Sequence, residues 1–184
     1  MCGEKKNINL YQSFYPENFK VNDIAFDFAK KGYDITVITG LPNYPHGKIY
    51  EGYGMFKKRK EVIDNVTIIR LPLVPRGKGN NLRIILNYSS YFISSIVYTL
   101  RIALQKKFDI VFVHETSPIF ICLSAILYKK ITKAPLLTWV LDLWPESVFS
   151  ASSMKGQYLE KILTVIVRKI YKESDIIFDF FERV

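Results

Sequence analysis

Short, nearly continuous apolar runs alternate along this chain with longer helical stretches, and this alternation restricts the possible folds more than any other feature. Runs rich in β-branched residues predict strands at 8–10, 34–39, 62–71, 109–113, 135–141 and 175–178. Periodic apolar positions predict helices at 21–31, 81–106, 118–131 and 157–172. Apolar strands separated by helices are typical of a parallel sheet covered on both faces. We therefore predict an α/β fold with a doubly wound, mainly parallel sheet.

The composition is that of a globular domain. The chain has 184 residues, of which 49% are apolar, so it can bury a core and we expect one domain over 1–184. Its two cysteines, Cys2 in a polar leader and Cys122 in an apolar run, do not make a disulfide framework and suit a reducing compartment. The first nine residues contain no apolar stretch of signal-peptide length, so we expect a cytoplasmic protein.

The charge balance narrows the expected partners. A net charge of +9, from 26 Lys and Arg against 17 Asp and Glu, favours anionic ligands or acidic lipid. The cations are scattered in short groups, without zinc-finger spacing or an aromatic pattern for single-strand binding, so we do not expect nucleic acid as a partner. We also predict no metal site and no cofactor in this domain.

Ligands of such a sheet collect where parallel strands end, which directs attention to the loops after Leu10, Thr39, Val113 and Leu141. The first loop lacks the G-x-G-x-x-G pattern that would place a dinucleotide at a helix N-terminus. The second loop, 40–54, contains two prolines and four glycines, and long irregular loops in this position are often functional. The third and fourth loops read HETSP and DLWPES.

Four stretches in and around these loops, in this order and spacing, resemble one protein family. They are FYPENF (14–19), VITGLPNYPHGKIYEGY (37–53), PRGKG (75–79) and WVLDLWPES (139–147). Over about 8–177 the chain resembles the N-terminal domain of bacterial family-four glycosyltransferases, especially the group that builds capsule and O-antigen sugars. The resemblance implies half of a GT-B fold, in which two Rossmann-like domains face each other across a cleft. The N-terminal domain holds the acceptor, and the C-terminal domain holds the nucleotide-sugar donor.

The resemblance also implies which half of the enzyme is present. The family's donor-side signature is two glutamates separated by seven residues, and no two glutamates of this chain are eight positions apart. We therefore expect the donor-binding domain to be absent from 1–184. Family members often carry an H-x-H-E loop, and His114 falls at its second His, while Phe112 replaces the first. His114 is accordingly the predicted catalytic residue; the alternative is a structural histidine that caps the next helix.

The other predicted site residues would bind the acceptor, and they are Glu17, Asn18, Asn43, His46, Arg76, Lys78, Glu115, Asp142, Trp144 and Glu146. Arg76 and Lys78 could pair with phosphates of a lipid-linked acceptor or could be solvated turn residues. Asp142 and Glu146 could orient sugar hydroxyls or act as a base, and Asp142 could equally bond to backbone N–H groups in a turn. Trp144 could stack on a sugar ring or serve only in packing.

The segment 82–104 is a candidate for membrane contact. As a helix, its 23 residues would extend about 35 Å, long enough to cross a bilayer. It also contains Arg83, Arg101, Asn87 and four serines, with too few residues between the arginines for a usual span. We therefore favour a helix that lies on an anionic membrane surface, or one that packs on the sheet with one face exposed.

These expectations combine into one functional hypothesis. The chain would contribute acceptor binding to the retaining transfer of a sugar to a glycan or lipid-linked sugar acceptor, in surface polysaccharide synthesis at the inner face of the plasma membrane. The nucleotide sugar would bind only through the missing domain. Two alternatives stay open: a non-catalytic acceptor- or membrane-binding module that works with a separate donor-domain chain, and a small Rossmann-like enzyme complete in itself.

Overall fold

The architecture is one sheet with helices packed around it, seen here in a computed structural model that describes residues 5–116, 118–147 and 157–179. Within these ranges there are seven strands and four helices. The strands are β1 (Lys6–Leu10), β2 (Asp34–Gly40), β3 (Lys60–Ile63), β4 (Val66–Leu71), β5 (Ile110–Glu115), β6 (Leu136–Val140) and β7 (Ile176–Phe178). The helices are α1 (Lys20–Lys30), α2 (Asn81–Gln105), α3 (Ile121–Thr132) and α4 (Gln157–Glu173).

The strand order creates a natural crevice. The order is β3-β4-β2-β1-β5-β6-β7, and every neighbouring pair is parallel except β3 with β4. The predicted α/β class with a mainly parallel sheet is confirmed. The chain first builds the sheet outward from β1 through β2 and β4, then returns to place β5 on the other side of β1. Such a reversal leaves a crevice at the carboxyl ends of the two central strands, here β1 and β5.

One predicted element is wrong. The expected single strand over 62–71 is a hairpin, in which β3 runs antiparallel to β4 with Ile63 opposite Val66. Asp64 and Asn65 form the turn with positive φ angles of 46° and 64°. Both residue types tolerate the left-handed region because their short side chains bond locally. The β-branched pattern continues on both sides of this two-residue turn, so periodicity alone did not reveal the break.

Two core clusters cover opposite faces of the sheet. Alternation along β2 sends Ile38 to one face and Val37 to the other. The Ile38 face packs against α2, α3 and α4, and the Val37 face packs against α1. Helix α1 buries Val21, Ala25 and Ala29, four positions apart, which makes one stripe along the helix.

Helix α2 reverses the usual arrangement of polar and apolar faces. It buries Asn87, Tyr91, Ser95 and Thr99, a stripe at four-residue spacing. Tyr91 Oη donates to the backbone carbonyl of Tyr11 at 2.7 Å, so this polar stripe is joined to the sheet by hydrogen bonds. Most of the large aliphatic side chains of the helix are exposed instead, and Ile102 is the buried exception. Among the described residues, no helix combines the length and the hydropathy that a bilayer crossing needs.

Candidate functional site

A cleft of about 220 Å³ opens at the carboxyl edge of the sheet, at the reversal point between β1 and β5. Its lining comes from the loops that follow β1, β2 and β4, from the ends of β5 and β6, and from α2. The lining residues are Gln12, Ser13, Phe19, Tyr44, Arg76, Tyr88, His114, Thr116 and Asp142. Five of the six parallel strands therefore supply side chains to one concave surface, which is the usual place for a ligand in this class of fold.

His114 lies on β5 and lines the cleft. Only 5% of the residue is exposed. Its ring lies 4.7 Å from the Trp139 ring and meets the Tyr11 ring edge-on at 6.1 Å. Nε2 is buried and makes no hydrogen bond with the described residues. Burial lowers the pKa of His114 to about 4, although the negative charge of Asp142 acts in the opposite direction. At neutral pH the imidazole is therefore uncharged and can exchange hydrogen bonds but not supply a positive charge.

Glu115, the next residue, is buried completely on the opposite face of the sheet. Burial raises the pKa of its carboxyl to about 8, and the charge of Asp142 contributes to this rise. Nearby N–H groups of Asp142 and Leu141 offset part of this rise, but neither carboxyl oxygen forms a well-aligned hydrogen bond within the described ranges. Glu115 is therefore protonated at neutral pH and does not line the cleft, so its predicted contact with an acceptor stays a prediction.

Arg76 supplies the positive charge of the cleft. Its guanidinium lies 5.3 Å from the centre of the Tyr44 ring and 5.1 Å from that of Tyr88. Nη2 donates to the Tyr88 hydroxyl at 2.6 Å, and the backbone N–H donates to Asn43 Oδ1 at 3.2 Å. In the described part of the chain, no carboxylate forms an ion pair with Arg76. The cation is thus held in position between two rings and remains available for an anionic ligand.

Glu17 and Asn43 are buried behind the cleft. One oxygen of Glu17 accepts the backbone N–H groups of Asn43 at 2.7 Å and of Tyr44 at 2.6 Å. Burial raises the pKa of Glu17, and these two hydrogen bonds work against the rise. The Asn43 side chain in turn donates to the carbonyl of Leu41 and accepts from Arg76. These two residues hold Tyr44 and Arg76 in place, and their predicted direct contacts with an acceptor stay predictions.

The remaining predicted residues are spread around the cleft. Asp142 lines it, whereas Lys78 lines a separate cleft of about 520 Å³ beside it. Trp144 is half-buried and its ring lies 6.0 Å from that of Phe120. Three others are exposed and do not line the cleft, and they are Asn18, His46 and Glu146. Nothing in their surroundings tests whether they contact an acceptor.

Several residues that line the cleft were not predicted from the sequence. Gln12 lies two residues after the end of β1, so the strand-end rule indicated its loop but not the residue. Its amide donates to Asn87 Oδ1 at 3.1 Å, which joins the first loop to α2. Tyr88 comes from the middle of a helix, where no sequence signal separates a cleft residue from an ordinary surface aromatic. Tyr44 lies in the second loop. The irregular composition of that loop indicated a functional segment but not which of its side chains lines the cleft.

The chemistry of the cleft suits a polyhydroxylated ligand that carries a negative charge. It offers one cation that no described carboxylate pairs with, one uncharged imidazole, the Asp142 carboxylate and two tyrosine side chains. Within the described ranges, no group of three or more His, Cys, Asp or Glu side chains could hold a metal ion. Fold and site together define an α/β domain with a ligand cleft at the carboxyl edge of its sheet. No protein-family model and no curated protein matches the sequence.

Proposed function

We propose that this chain is the acceptor-side domain of a retaining GT-B glycosyltransferase, and that the acceptor is a sugar carried on a lipid diphosphate. The observation that carries the proposal is the meeting of Arg76, His114 and Asp142 in one cleft. Each of the four stretches that resemble the glycosyltransferase family supplies one lining residue, and these are Phe19, Tyr44, Arg76 and Asp142. Segments far apart in sequence thus share one surface, as a common ligand would require.

The arrangement of the sheet also supports the proposal. A mainly parallel sheet with helices on both faces and a reversal between its central strands is what one Rossmann-like, doubly wound half of a GT-B fold requires. In that fold the acceptor domain presents the carboxyl edge of its sheet to the donor domain. The nucleotide sugar would then bind chiefly to the other domain.

Different residues of the cleft contact different parts of the acceptor in this proposal. Arg76 binds a phosphate oxygen of the acceptor, because a fixed guanidinium forms strong charge-assisted hydrogen bonds. Asp142 accepts a hydrogen bond from a sugar hydroxyl, and the neutral His114 exchanges one with a hydroxyl near the transferred sugar. Tyr44 and Tyr88 provide faces for the sugar rings. Catalysis in this scheme consists mainly of positioning and of electrostatic stabilisation of an oxocarbenium-like state.

Calorimetric titration of the 184-residue chain tests the proposal. A short-chain prenyl-diphosphate sugar should bind, and Arg76→Gln should weaken that binding about tenfold or more, because a hydrogen bond to a charged group contributes about 1.5–3 kcal/mol. The matched control is Lys20→Gln, which removes an exposed cation on α1, and it should leave the affinity unchanged. Equal affinity of the Arg76→Gln variant would contradict the assigned role.

A panel of UDP- and GDP-sugars in the same calorimeter separates the proposal from its two alternatives. Micromolar binding of any of them to the chain alone would favour a small complete enzyme and would end the two-domain account. To distinguish a non-catalytic module, a donor-domain chain is added and sugar transfer is measured for the wild type and for His114→Ala. His114→Ala should then lower the turnover number more than the acceptor affinity, whereas an unchanged turnover number would leave only a binding role.

A further inference from the structure

Helix α2 presents an apolar stripe to solvent along its whole length. The stripe consists of large aliphatic side chains that are 41–80% exposed, and they are Leu82, Ile85, Leu86, Ile93, Val97, Leu100 and Leu104. If Ile85 is left out, successive members are three, four or seven residues apart. These spacings place them on one side of the helix. From Leu82 to Leu104 the stripe is about 33 Å long at 1.5 Å per residue. Exposed apolar areas of this extent mark interaction surfaces.

The inward face of α2 makes this orientation a property of the fold. Buried Asn87 donates to the carbonyl of Val74 at 2.7 Å. Buried Ser95 shares a 2.7 Å hydrogen bond with Ser124 of α3. Turning the helix to hide its aliphatic stripe would break these bonds and expose or orphan their partners. The protein therefore keeps the polar stripe of α2 inside and the apolar stripe outside.

The charged residues of helix α2 are all cations. Helix α2 contains no acidic residue, and its two arginines, Arg83 and Arg101, each follow a stripe residue and so lie about 100° around the helix from it. Both arginines are exposed, and so is Lys107 just beyond the end of the helix. An apolar stripe flanked by cations is the pattern of a helix that lies in the interface of a membrane.

A basic cleft at the start of the helix extends the same surface. The cleft has a volume of about 520 Å³ and includes Lys48, Lys78 and Arg83, and none of the described residues that line it is acidic. Its two loops are joined by a 2.8 Å hydrogen bond from the backbone N–H of Gly77 to the carbonyl of Gly47. A Cβ on Gly47 would lie 1.8 Å from the carbonyl oxygen of Gly77, so the close approach requires glycine. Three cations from separate segments are thus gathered at one end of the apolar stripe.

We propose that the apolar stripe of α2 and this basic cleft together bind the surface of an anionic phospholipid membrane, with α2 lying flat in the headgroup region. The aliphatic side chains enter the boundary of the acyl chains, while Lys48, Lys78 and Arg83 bind lipid phosphates. A second copy of the chain is a poorer partner, because pairing two α2 faces would bring their flanking arginines together with no acidic residue of either helix between them. The inference does not depend on the proposed transferase activity.

Vesicle co-sedimentation tests the apolar part of the surface. The 184-residue chain should bind vesicles of phosphatidylcholine with about 30% phosphatidylglycerol, and should bind pure phosphatidylcholine much more weakly. The double variant Ile93→Glu/Val97→Glu should lower the partition coefficient at least about tenfold, because both side chains would otherwise enter the lipid. The matched control is Val165→Glu, which changes an equally exposed valine on α4 and should leave binding unchanged. Circular dichroism melting confirms that each variant is folded.

A second pair of variants tests the basic cleft. Lys78→Gln/Arg83→Gln should weaken binding to the anionic vesicles about 25-fold, since each cation near such a surface contributes about fivefold. Lys20→Gln/Lys31→Gln removes two exposed cations at the two ends of α1, on the other face of the sheet, and should have no comparable effect. Raising the salt concentration to 0.5 M should reduce wild-type binding in the same direction.

Three results would overturn the proposal. One is equal binding of the wild type and the Ile93→Glu/Val97→Glu variant, and another is equal binding to neutral and anionic vesicles. The third comes from sedimentation velocity without lipid: a wild-type dimer that Ile93→Glu/Val97→Glu dissociates would assign the stripe to a second copy of the chain.

Discussion

The buried carboxyl of Glu115 should make the free energy of unfolding depend on pH, and replacement by an amide should remove that dependence. In the folded chain the pKa of Glu115 is raised to about 8, whereas a glutamate in an unfolded chain has a pKa of about 4.3. Between these two values the folded state holds a proton that the unfolded state has lost. Each pH unit in this range therefore lowers the stability by about 1.4 kcal/mol.

His114 acts in the opposite direction at lower pH. Its folded pKa is about 4, below the ordinary histidine value of 6.5, so in this range the unfolded state binds the extra proton. The contribution of His114 to the free energy of unfolding therefore rises with pH up to about 6.5. Below that pH it roughly cancels the fall that Glu115 causes. Between pH 6.5 and pH 8 only the Glu115 effect remains. Over that interval the wild type should lose about 2 kcal/mol more stability than Glu115→Gln.

Urea unfolding, followed by tryptophan fluorescence at pH 6.5 and pH 8.0, measures this difference. The ring of Trp139 contacts His114, so the emission reports on the region concerned. Glu160→Gln changes an exposed carboxyl on α4 and should retain the wild-type dependence on pH. If Glu115→Gln lost as much stability as the wild type between the two pH values, Glu115 would not be the buried, protonated group inferred here.

Three further predictions concern the cleft and its supports. In nitrogen-15 NMR spectra the His114 imidazole should show no titration between pH 5.5 and 8, because burial lowers its pKa to about 4. A His46→Gln variant assigns the signals. A midpoint near 6.5 would contradict the assignment of His114 as neutral. Glu17→Ala should destabilise the protein by about 3 kcal/mol in urea unfolding, since it removes the acceptor of two buried N–H groups, and a loss below about 1 kcal/mol would show that the loops hold without it. Gly47→Ala should cost more stability than Gly52→Ala, because both have positive φ but only the first Cβ would meet backbone atoms; equal losses would mean that the loop contact contributes nothing.

The sequence located the cleft better than it identified its residues. The strand-end rule indicated the loop after Val113, and the resemblance to the family's H-x-H-E loop selected His114 within it. Arg76 and Asp142 came from the resemblance of their loops to a family. Glu17 was predicted to bind the acceptor, but its burial could not be foreseen, because its partners are N–H groups 26 and 27 residues away along the chain. Tyr88 lies on a helix, and only the packing of that helix brings it to the cleft.

Helix α2 shows most clearly what each level of description decides. Its amino acids alone determine a long helix, free of acidic residues, with enough aliphatic side chains to suggest either burial or membrane contact. Periodicity cannot tell which face turns inward, because this helix carries both a polar stripe and an apolar one. That choice depends on partners elsewhere in the chain: the carbonyls of Tyr11 and Val74 and the hydroxyl of Ser124 bond the polar stripe. Only the tertiary structure brings these groups together, and by doing so it leaves the apolar stripe outside.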